Sequence, residues 1–142
     1  MTIAAHGERE VRLATQAALA WTHLAAAARG EGIVLLPISG FRSVTRQTEI
    51  IRRKLAEGQS LQEILRINAA PGFSEHHTGR ALDIGTPEHS QLDETFETTA
   101  AFVWLNKLAR GFGFTMSFPR NNGCGIAYEP WHWCWREDPL KA

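Results

Sequence analysis

The stretch Ser74-Glu75-His76-His77-Thr78-Gly79-Arg80-Ala81-Leu82-Asp83 places two imidazoles and two carboxylates within ten residues. His76 and Asp83 are seven positions apart, so on one straight strand they would face opposite sides of a sheet. The Thr78-Gly79 pair can turn the chain, so that His76 precedes a bend and Asp83 lies on the strand that follows it. We therefore predict a strand over residues 80–84 that carries Asp83 on the face turned away from the core.

A second segment, Glu129-Pro130-Trp131-His132-Trp133, adds another carboxylate and another imidazole three positions apart. Proline makes a regular strand ladder unfavourable there, so a kink could direct Glu129 and His132 towards one point. Two imidazoles and one carboxylate are the donors of a catalytic zinc site, which leaves a fourth position for water. A further carboxylate beside that water, but not bound to the metal, is what general-base catalysis requires.

Apolar spacing in the rest of the chain indicates helices first and strands later. Residues 8–28 show helical periodicity, which predicts a long amphipathic helix. Residues 33–38 are almost wholly apolar, as in a buried strand, and Pro37 suggests an edge position or a bulge. Further helices are predicted over 45–57, 60–67 and 96–110, and further strands over 114–118 and 131–135. The predicted fold class is α+β, with a small, mostly antiparallel sheet that carries the polar residues and packs against helices.

The size and charge of the chain narrow the classes of protein it can be. Its 142 residues suffice for one domain with its own core, and we predict a single domain over residues 1–142 that acts as a monomer. The 15 basic and 15 acidic residues cancel, which argues against nucleic-acid binding. No run reaches the ~18 apolar residues that a transmembrane helix needs. The first twenty residues carry acids and arginines where a secretory signal would be apolar, so no signal peptide is visible.

Three motifs, taken in order, are similar to those of a known family. They are Ser39-Gly40-Phe41-Arg42-Ser43 followed by Gln47, the stretch 74–83 quoted above, and Glu129-Pro130-Trp131-His132. The chain resembles the VanY-like D-alanyl-D-alanine carboxypeptidases, which are related to VanX dipeptidases, some phage endolysins and the hedgehog fold. The resemblance covers residues 33–135 and leaves residues 1–32 as an N-terminal helix. It implies a zinc peptidase domain that acts on the stem peptide of peptidoglycan.

The resemblance also implies a role for each matching residue. One Zn²⁺ ion would be held by His76, Asp83 and His132, and Glu129 would activate the water and protonate the leaving amine. Arg42 would stabilise the developing oxyanion or bind a substrate carboxylate, since its guanidinium is permanently charged. The remaining expected contacts with substrate are Ser74, Gln47, Trp131 and Trp133.

Several alternatives stay open at this point. The peptidase could be a D,D- or an L,D-carboxypeptidase, or an endopeptidase such as a lysin or a delivered toxin. A catalytically idle zinc-binding module is the rival outside the enzymes, although a water-activating Glu129 has no purpose there. The substrate implies the cell envelope or periplasm as the place of action. Cys124 and Cys134 are too few for a disulfide framework, and whether they pair with each other is also open.

Overall fold

The computed structural model describes residues 1–6 and 9–138 of the chain. Its six strands are β1 (Thr2–His6), β2 (Arg9–Arg12), β3 (Leu36–Ser39), β4 (Ala81–Gly85), β5 (Phe114–Met116) and β6 (His132–Trp135). Its four α-helices are α1 (Thr15–Gly30), α2 (Val44–Ala56), α3 (Leu61–Ile64) and α4 (Ala100–Leu108). Three 3₁₀ turns cover Glu75–Thr78, Glu94–Thr98 and Ala109–Phe112.

The strands form two antiparallel sheets. β1 and β2 make a two-stranded hairpin, and the other four strands form a sheet in the order β3-β4-β6-β5. Helices pack around this sheet, so the predicted α+β class is confirmed. Among the described residues, no helix has both the length and the apolar character to cross a bilayer.

The hydrophobic core lies between α1, α4 and one face of the four-stranded sheet. Leu82 and Ile84 of β4 both reach 0% exposure within this core. Asp83 lies between them and points to the opposite face, because successive side chains on a strand alternate. The core-facing and polar faces of β4 are therefore arranged as its sequence predicts.

The N-terminus differs from the predicted helix over residues 8–28. The helix begins only at Thr15, and residues Arg9–Arg12 form a strand instead. Val11 and Leu13 are buried while Arg12 is exposed, a period of two that the helical spacing of the later residues concealed. Leu13 N–H donates to Met1 O (2.9 Å), which closes the hairpin. Glu8, the first residue of the predicted helix, lies outside the described residues.

Other elements follow the sequence more closely. The helix predicted over residues 45–57 is confirmed as α2, and the Ser43 hydroxyl caps its first turn by accepting from Arg46 N–H. The helix predicted over 96–110 is divided, because the Thr99 hydroxyl accepts from Phe102 N–H and starts a new helix at Ala100. Pro37 lies on the edge strand β3, next to a register irregularity, so both expectations for that residue are confirmed.

Candidate metal centre

Three local features bring His76, Asp83 and His132 together. His76 lies in the 3₁₀ turn Glu75–Thr78, which the Ser74 hydroxyl caps by accepting from His76 N–H. Gly79 ends this turn with a left-handed φ of 74°, which confirms the predicted bend before β4. Asp83 of β4 and His132 of β6 are direct partners in the antiparallel register. Strand pairing therefore positions Asp83 and His132, and the 3₁₀ turn positions His76.

The donor atoms are spaced as zinc requires. His76 Nε2 and His132 Nδ1 each lie 3.3 Å from Asp83 Oδ1. The three side chains are buried, and their ligand atoms lie within 4.8 Å of one another. Zinc binds nitrogen and oxygen at about 2.0–2.2 Å, so neighbouring donors of a tetrahedral site lie about 3.3–3.6 Å apart. The donor set therefore fits one Zn²⁺ ion in both chemistry and spacing.

Hydrogen bonds on the far side of each imidazole leave the correct nitrogen available. His76 Nδ1 lies 2.8 Å from Gly40 O, a carbonyl that can only accept, so Nε2 keeps its lone pair. His132 Nε2 lies 2.8 Å from Glu75 Oε1, which leaves Nδ1 as the nitrogen that could bind a metal ion. Metal-bound histidines usually donate their second N–H to a carbonyl or a carboxylate in this way.

The charges in the centre favour a cation. Asp83 Oδ1 is buried and has no hydrogen-bond partner of its own. Burial alone would raise the pKa of Asp83, but the adjacent His76 and His132 rings outweigh it and hold the pKa well below its usual range. Burial opposes the charging of His132, yet the carboxylates of Asp83 and Glu75 raise its pKa to about 9. The same carboxylates that favour positive charge on His132 would also favour a metal cation between the donors.

Glu129 lies next to the donors but outside them. It is 4% exposed, and its Oε1 is 3.9 Å from His132 Nδ1. A tight turn, in which His132 N–H donates to Glu129 O (3.3 Å), holds the two residues on the same side. Burial and the neighbouring Asp83 carboxylate raise the pKa of Glu129 to about 8, against the opposing effect of His132. A carboxyl so placed can exchange a proton with water near neutral pH.

Arg42 lies beside Asp83 and is held there by two polar side chains. Its Nη2 is 4.0 Å from Asp83 Oδ2 and donates to Ser39 Oγ (2.9 Å), while Nη1 donates to Gln47 Oε1 (3.0 Å). Gln47 is 1% exposed, and its amide nitrogen donates to Ala69 O (2.7 Å). Gln47, expected to contact the peptide, therefore fixes the guanidinium of Arg42 in the structure.

These residues line one cleft of about 200 Å³. The side chains expected at the site that line it are Arg42, Gln47, Ser74, His76, Asp83, Glu129, Trp131 and His132. Trp133 does not reach the cleft. It alternates with His132 on β6, so it faces the hydrophobic core, where its indole donates to Pro130 O (3.0 Å). The prediction that Trp133 flanks the site is therefore wrong.

Sequence reasoning missed other residues of the cleft. Glu75 stands inside the quoted motif, but nothing in the motif shows that its carboxylate contacts His132. Burial would raise the pKa of Glu75, yet hydrogen bonds from His132 and Ser117 lower it to about 2. Lys54 and Phe73 also line the cleft. Lys54 is seven positions, or about two helical turns, after Gln47 on α2. This spacing places both residues on the same face of the helix, and it could have predicted that Lys54 lines the cleft.

The two cysteines are free in the structure. Cys124 is exposed and Cys134 is buried. Burial raises the pKa of the Cys134 thiol to about 11, so it is protonated near neutral pH. Cys124 and Cys134 therefore do not form a disulfide with each other.

Gly40 offers a test of the packing that orients His76. A Cβ at residue 40 would overlap Arg12 O, a backbone atom that cannot move alone. We expect Gly40→Ala to lower the free energy of unfolding by about 1–3 kcal/mol and to weaken zinc binding, because the displaced carbonyl no longer holds His76. Urea unfolding and a zinc titration measure both effects.

The matched control is Gly30→Ala, at the end of α1, where an added Cβ meets nothing within 4 Å. This control should leave zinc binding unchanged and unfolding stability equal or slightly higher. Equal stability of Gly40→Ala and the parent chain would contradict the proposed close packing.

Comparison with known proteins agrees with the geometry. The family model for VanY, D-alanyl-D-alanine carboxypeptidase, matches residues 10–138. The putative carboxypeptidase YodJ of Bacillus subtilis (strain 168) is 36% identical over 112 residues, which cover 75% of this chain and 40% of that protein. A D-alanyl-D-alanine carboxypeptidase of Enterococcus faecalis (strain ATCC 700802 / V583) is 33% identical over 118 residues, covering 75% and 42%. The chain thus spans about two fifths of the length of these two relatives.

Solved structures show the same fold. The LdcB LD-carboxypeptidase has a TM-score of 0.79 and 32% identity, and the match covers 93% of this chain and 62% of that one. VanY from a VanB-type resistance cassette, in complex with Zn(II), has a TM-score of 0.74 and 28% identity, covering 92% and 76%. VanYB in complex with D-alanine-D-alanine has a TM-score of 0.72 and 28% identity, covering 94% and 81%. Since the family model spans nearly the whole chain, the protein belongs to the VanY family of D-alanyl-D-alanine carboxypeptidases.

Proposed function

We propose that this chain is a zinc-dependent carboxypeptidase that removes the C-terminal D-alanine from peptidoglycan stem peptides. The observation that carries the proposal is a buried Glu129 carboxyl beside, but outside, the donor set of His76, Asp83 and His132. A purely structural metal site has four protein ligands and needs no such group. The relative in complex with D-alanine-D-alanine supports the choice of substrate.

The donors suit zinc, and zinc supplies Lewis-acid chemistry that makes water a nucleophile near neutral pH. Glu129 is the proton carrier in this proposal. Its carboxylate accepts a proton from the attacking water and then passes that proton to the amine of the departing alanine. Since the carboxyl is buried beside His132, it is held in place for both transfers.

Arg42 stabilises negative charge that develops on the scissile carbonyl oxygen. Ser39 and Gln47 hold its guanidinium before substrate arrives, so little rearrangement is needed during the reaction. Ser74 and Trp131 complete the wall of the cleft next to the donors. Because residues of one chain supply every part of this site, we also propose that the protein acts as a single-domain monomer. A peptidoglycan substrate would imply action in the cell envelope or periplasm.

Lys54 favours removal of a terminal residue over internal cleavage. It is half-buried on the inward side of α2, in line with Gln47 and Ile51, and it lines the cleft. Burial and the charges of Arg53 and Arg42 lower the pKa of its ammonium group, while Glu129 acts in the opposite sense. A lysine in the wall of a peptidase cleft can bind the free C-terminal carboxylate, which an internal peptide bond does not offer.

Lys54→Met keeps the length of the side chain and removes its charge. We expect KM for a peptide ending in D-alanyl-D-alanine to rise roughly 10- to 100-fold, the value of a hydrogen bond to a charged group. The same peptide with an amidated C-terminus should be hydrolysed equally by the parent chain and the variant. Arg52→Met, which removes an exposed charge from the same helix, is the matched control. An equal loss on the amidated peptide would contradict carboxylate binding by Lys54.

Product analysis tests the proposal as a whole. The purified chain is incubated with pentapeptide, tetrapeptide and cross-linked muropeptides, each with and without a chelator, and the product masses are measured. Chelator-sensitive loss of one alanine from the pentapeptide is the expected result. Loss of the terminal residue from the tetrapeptide alone would indicate an L,D-carboxypeptidase. Cleavage of cross-links would indicate an endopeptidase, and zinc binding without any product would indicate an idle zinc-binding module.

A further inference from the structure

The carboxylate of Glu75 contacts three side chains, which lie on or directly after the neighbouring strands β5 and β6. His132 Nε2 lies 2.8 Å from Glu75 Oε1, and Ser117 Oγ donates to the same oxygen at 2.5 Å. Arg136 Nη2 donates to Oε2 at 3.2 Å. Ser117 follows β5 and Arg136 follows β6, so the carboxylate is anchored across two neighbouring strands.

Arg136 is itself fixed, because its Nε donates to Thr115 Oγ1 (3.3 Å) on β5. The Glu75 side chain is 27% exposed and that of His132 only 4% exposed, so the bond between them is largely shielded from water. A charged hydrogen bond in this setting restrains an imidazole more strongly than a solvent-exposed one does.

We propose that Glu75 is a positioning residue, which holds the His132 ring with Nδ1 turned towards the metal. This inference rests on the zinc site of the proposed function. The His132 ring can in principle rotate by half a turn, which would replace Nδ1 by a carbon atom at the donor position. An acceptor at Nε2 opposes that rotation and keeps the proton on Nε2, so that the lone pair stays on Nδ1.

The geometry assigns Glu75 no direct part in the chemistry. It bonds the ring nitrogen opposite to the one that faces Asp83, so the imidazole of His132 separates it from the donor cluster. Within the described residues, the cluster of converging ligand atoms consists of His76, Asp83 and His132 and does not include Glu75. Glu129, by contrast, lies on the Nδ1 side of the His132 ring, next to the donor cluster.

Zinc affinity, measured by competition with a chromophoric chelator, tests this role without reference to turnover. We expect Glu75→Ala to raise the Kd for Zn²⁺ about 10- to 100-fold, the usual effect of losing a residue that orients a ligand. Glu75→Gln should recover part of the affinity, because its amide oxygen can still accept from Nε2–H. Glu49→Gln, an exposed charge change on α2, is the control and should leave Kd unchanged.

The absorption spectrum of bound Co²⁺ gives a second, independent readout. The geometry around the ion should change in Glu75→Ala and stay close to that of the parent chain in Glu75→Gln. Thermal unfolding of the metal-free proteins shows whether each variant is folded. If Glu75→Ala is unfolded, the Kd and Co²⁺ spectrum of Glu75→Gln decide the question, with a small loss of affinity and a near-parental spectrum expected.

A folded Glu75→Ala with the Kd and spectrum of the parent chain would overturn the proposal. Equal losses of zinc affinity in Glu75→Ala and Glu75→Gln would overturn it too. They would show that Glu75 acts through its negative charge and not through the hydrogen bond that orients His132. Failure of the parent chain to bind zinc would instead overturn the proposed function. The two failures are therefore distinguishable.

Discussion

Glu129→Ala is expected to lower kcat by about 10²- to 10⁴-fold, the range that a general base contributes, while zinc remains bound at close to one ion per chain. The reason is the position of the carboxyl, which lies beside His132 but outside the set of donors that converge with it. Removing it takes away the proton carrier and leaves all three ligands in place. Steady-state hydrolysis of a pentapeptide at saturating concentration and metal analysis of the dialysed protein measure the two quantities.

Glu129→Gln is the matched variant, since it keeps the volume and removes the proton exchange. It should lose turnover as fully as Glu129→Ala and should also keep its zinc. Substantial metal loss in both variants would show that Glu129 is a ligand, and the assignment of roles would then be wrong.

His132→Ala is expected to abolish both zinc binding and hydrolysis. His132 supplies one of three donors, so its loss should raise the Kd for Zn²⁺ by more than the roughly 10- to 100-fold that the loss of an orienting residue costs. It also leaves the buried carboxylate of Asp83 with one fewer compensating imidazole. Chelator followed by added zinc should restore hydrolysis by the parent chain but not by the variant.

His23→Ala is the control, because His23 is exposed on α1, in an element that carries no part of the site. It should bind zinc and hydrolyse peptide as the parent chain does. A folded His132→Ala that still binds zinc stoichiometrically and tightly would remove His132 from the ligand set.

Much of the centre could be predicted because the residue types themselves limit the chemistry. Histidine and aspartate are the usual ligands of zinc together with cysteine, and the glycine at residue 79 permits the left-handed turn that places His76 before β4. The alternation of β4 likewise follows from its sequence, since Leu82 and Ile84 are apolar and Asp83 is not. These are local properties, and local sequence is enough to determine them.

Where prediction failed, tertiary context decided the outcome. Residues 9–12 carry a pattern compatible with helix or strand, and pairing with β1 selects the strand. Trp133 belongs to a motif that surrounds the site, but the pleat of β6 turns it to the core. Gln47 lies on the inward face of α2, as its spacing with Ile51 indicates. Only the tertiary structure shows that its side chain accepts a hydrogen bond from Arg42.

The amino-acid sequence by itself determined the α+β class, the ligand types, the acid beside them and the family to which the chain belongs. The tertiary structure alone decided which nitrogen of each imidazole faces Asp83 and which groups hold those rings. The physical reason is that a ring orientation depends on hydrogen bonds to distant partners, such as Glu75 for His132, 57 positions away, and Gly40 for His76, 36 positions away.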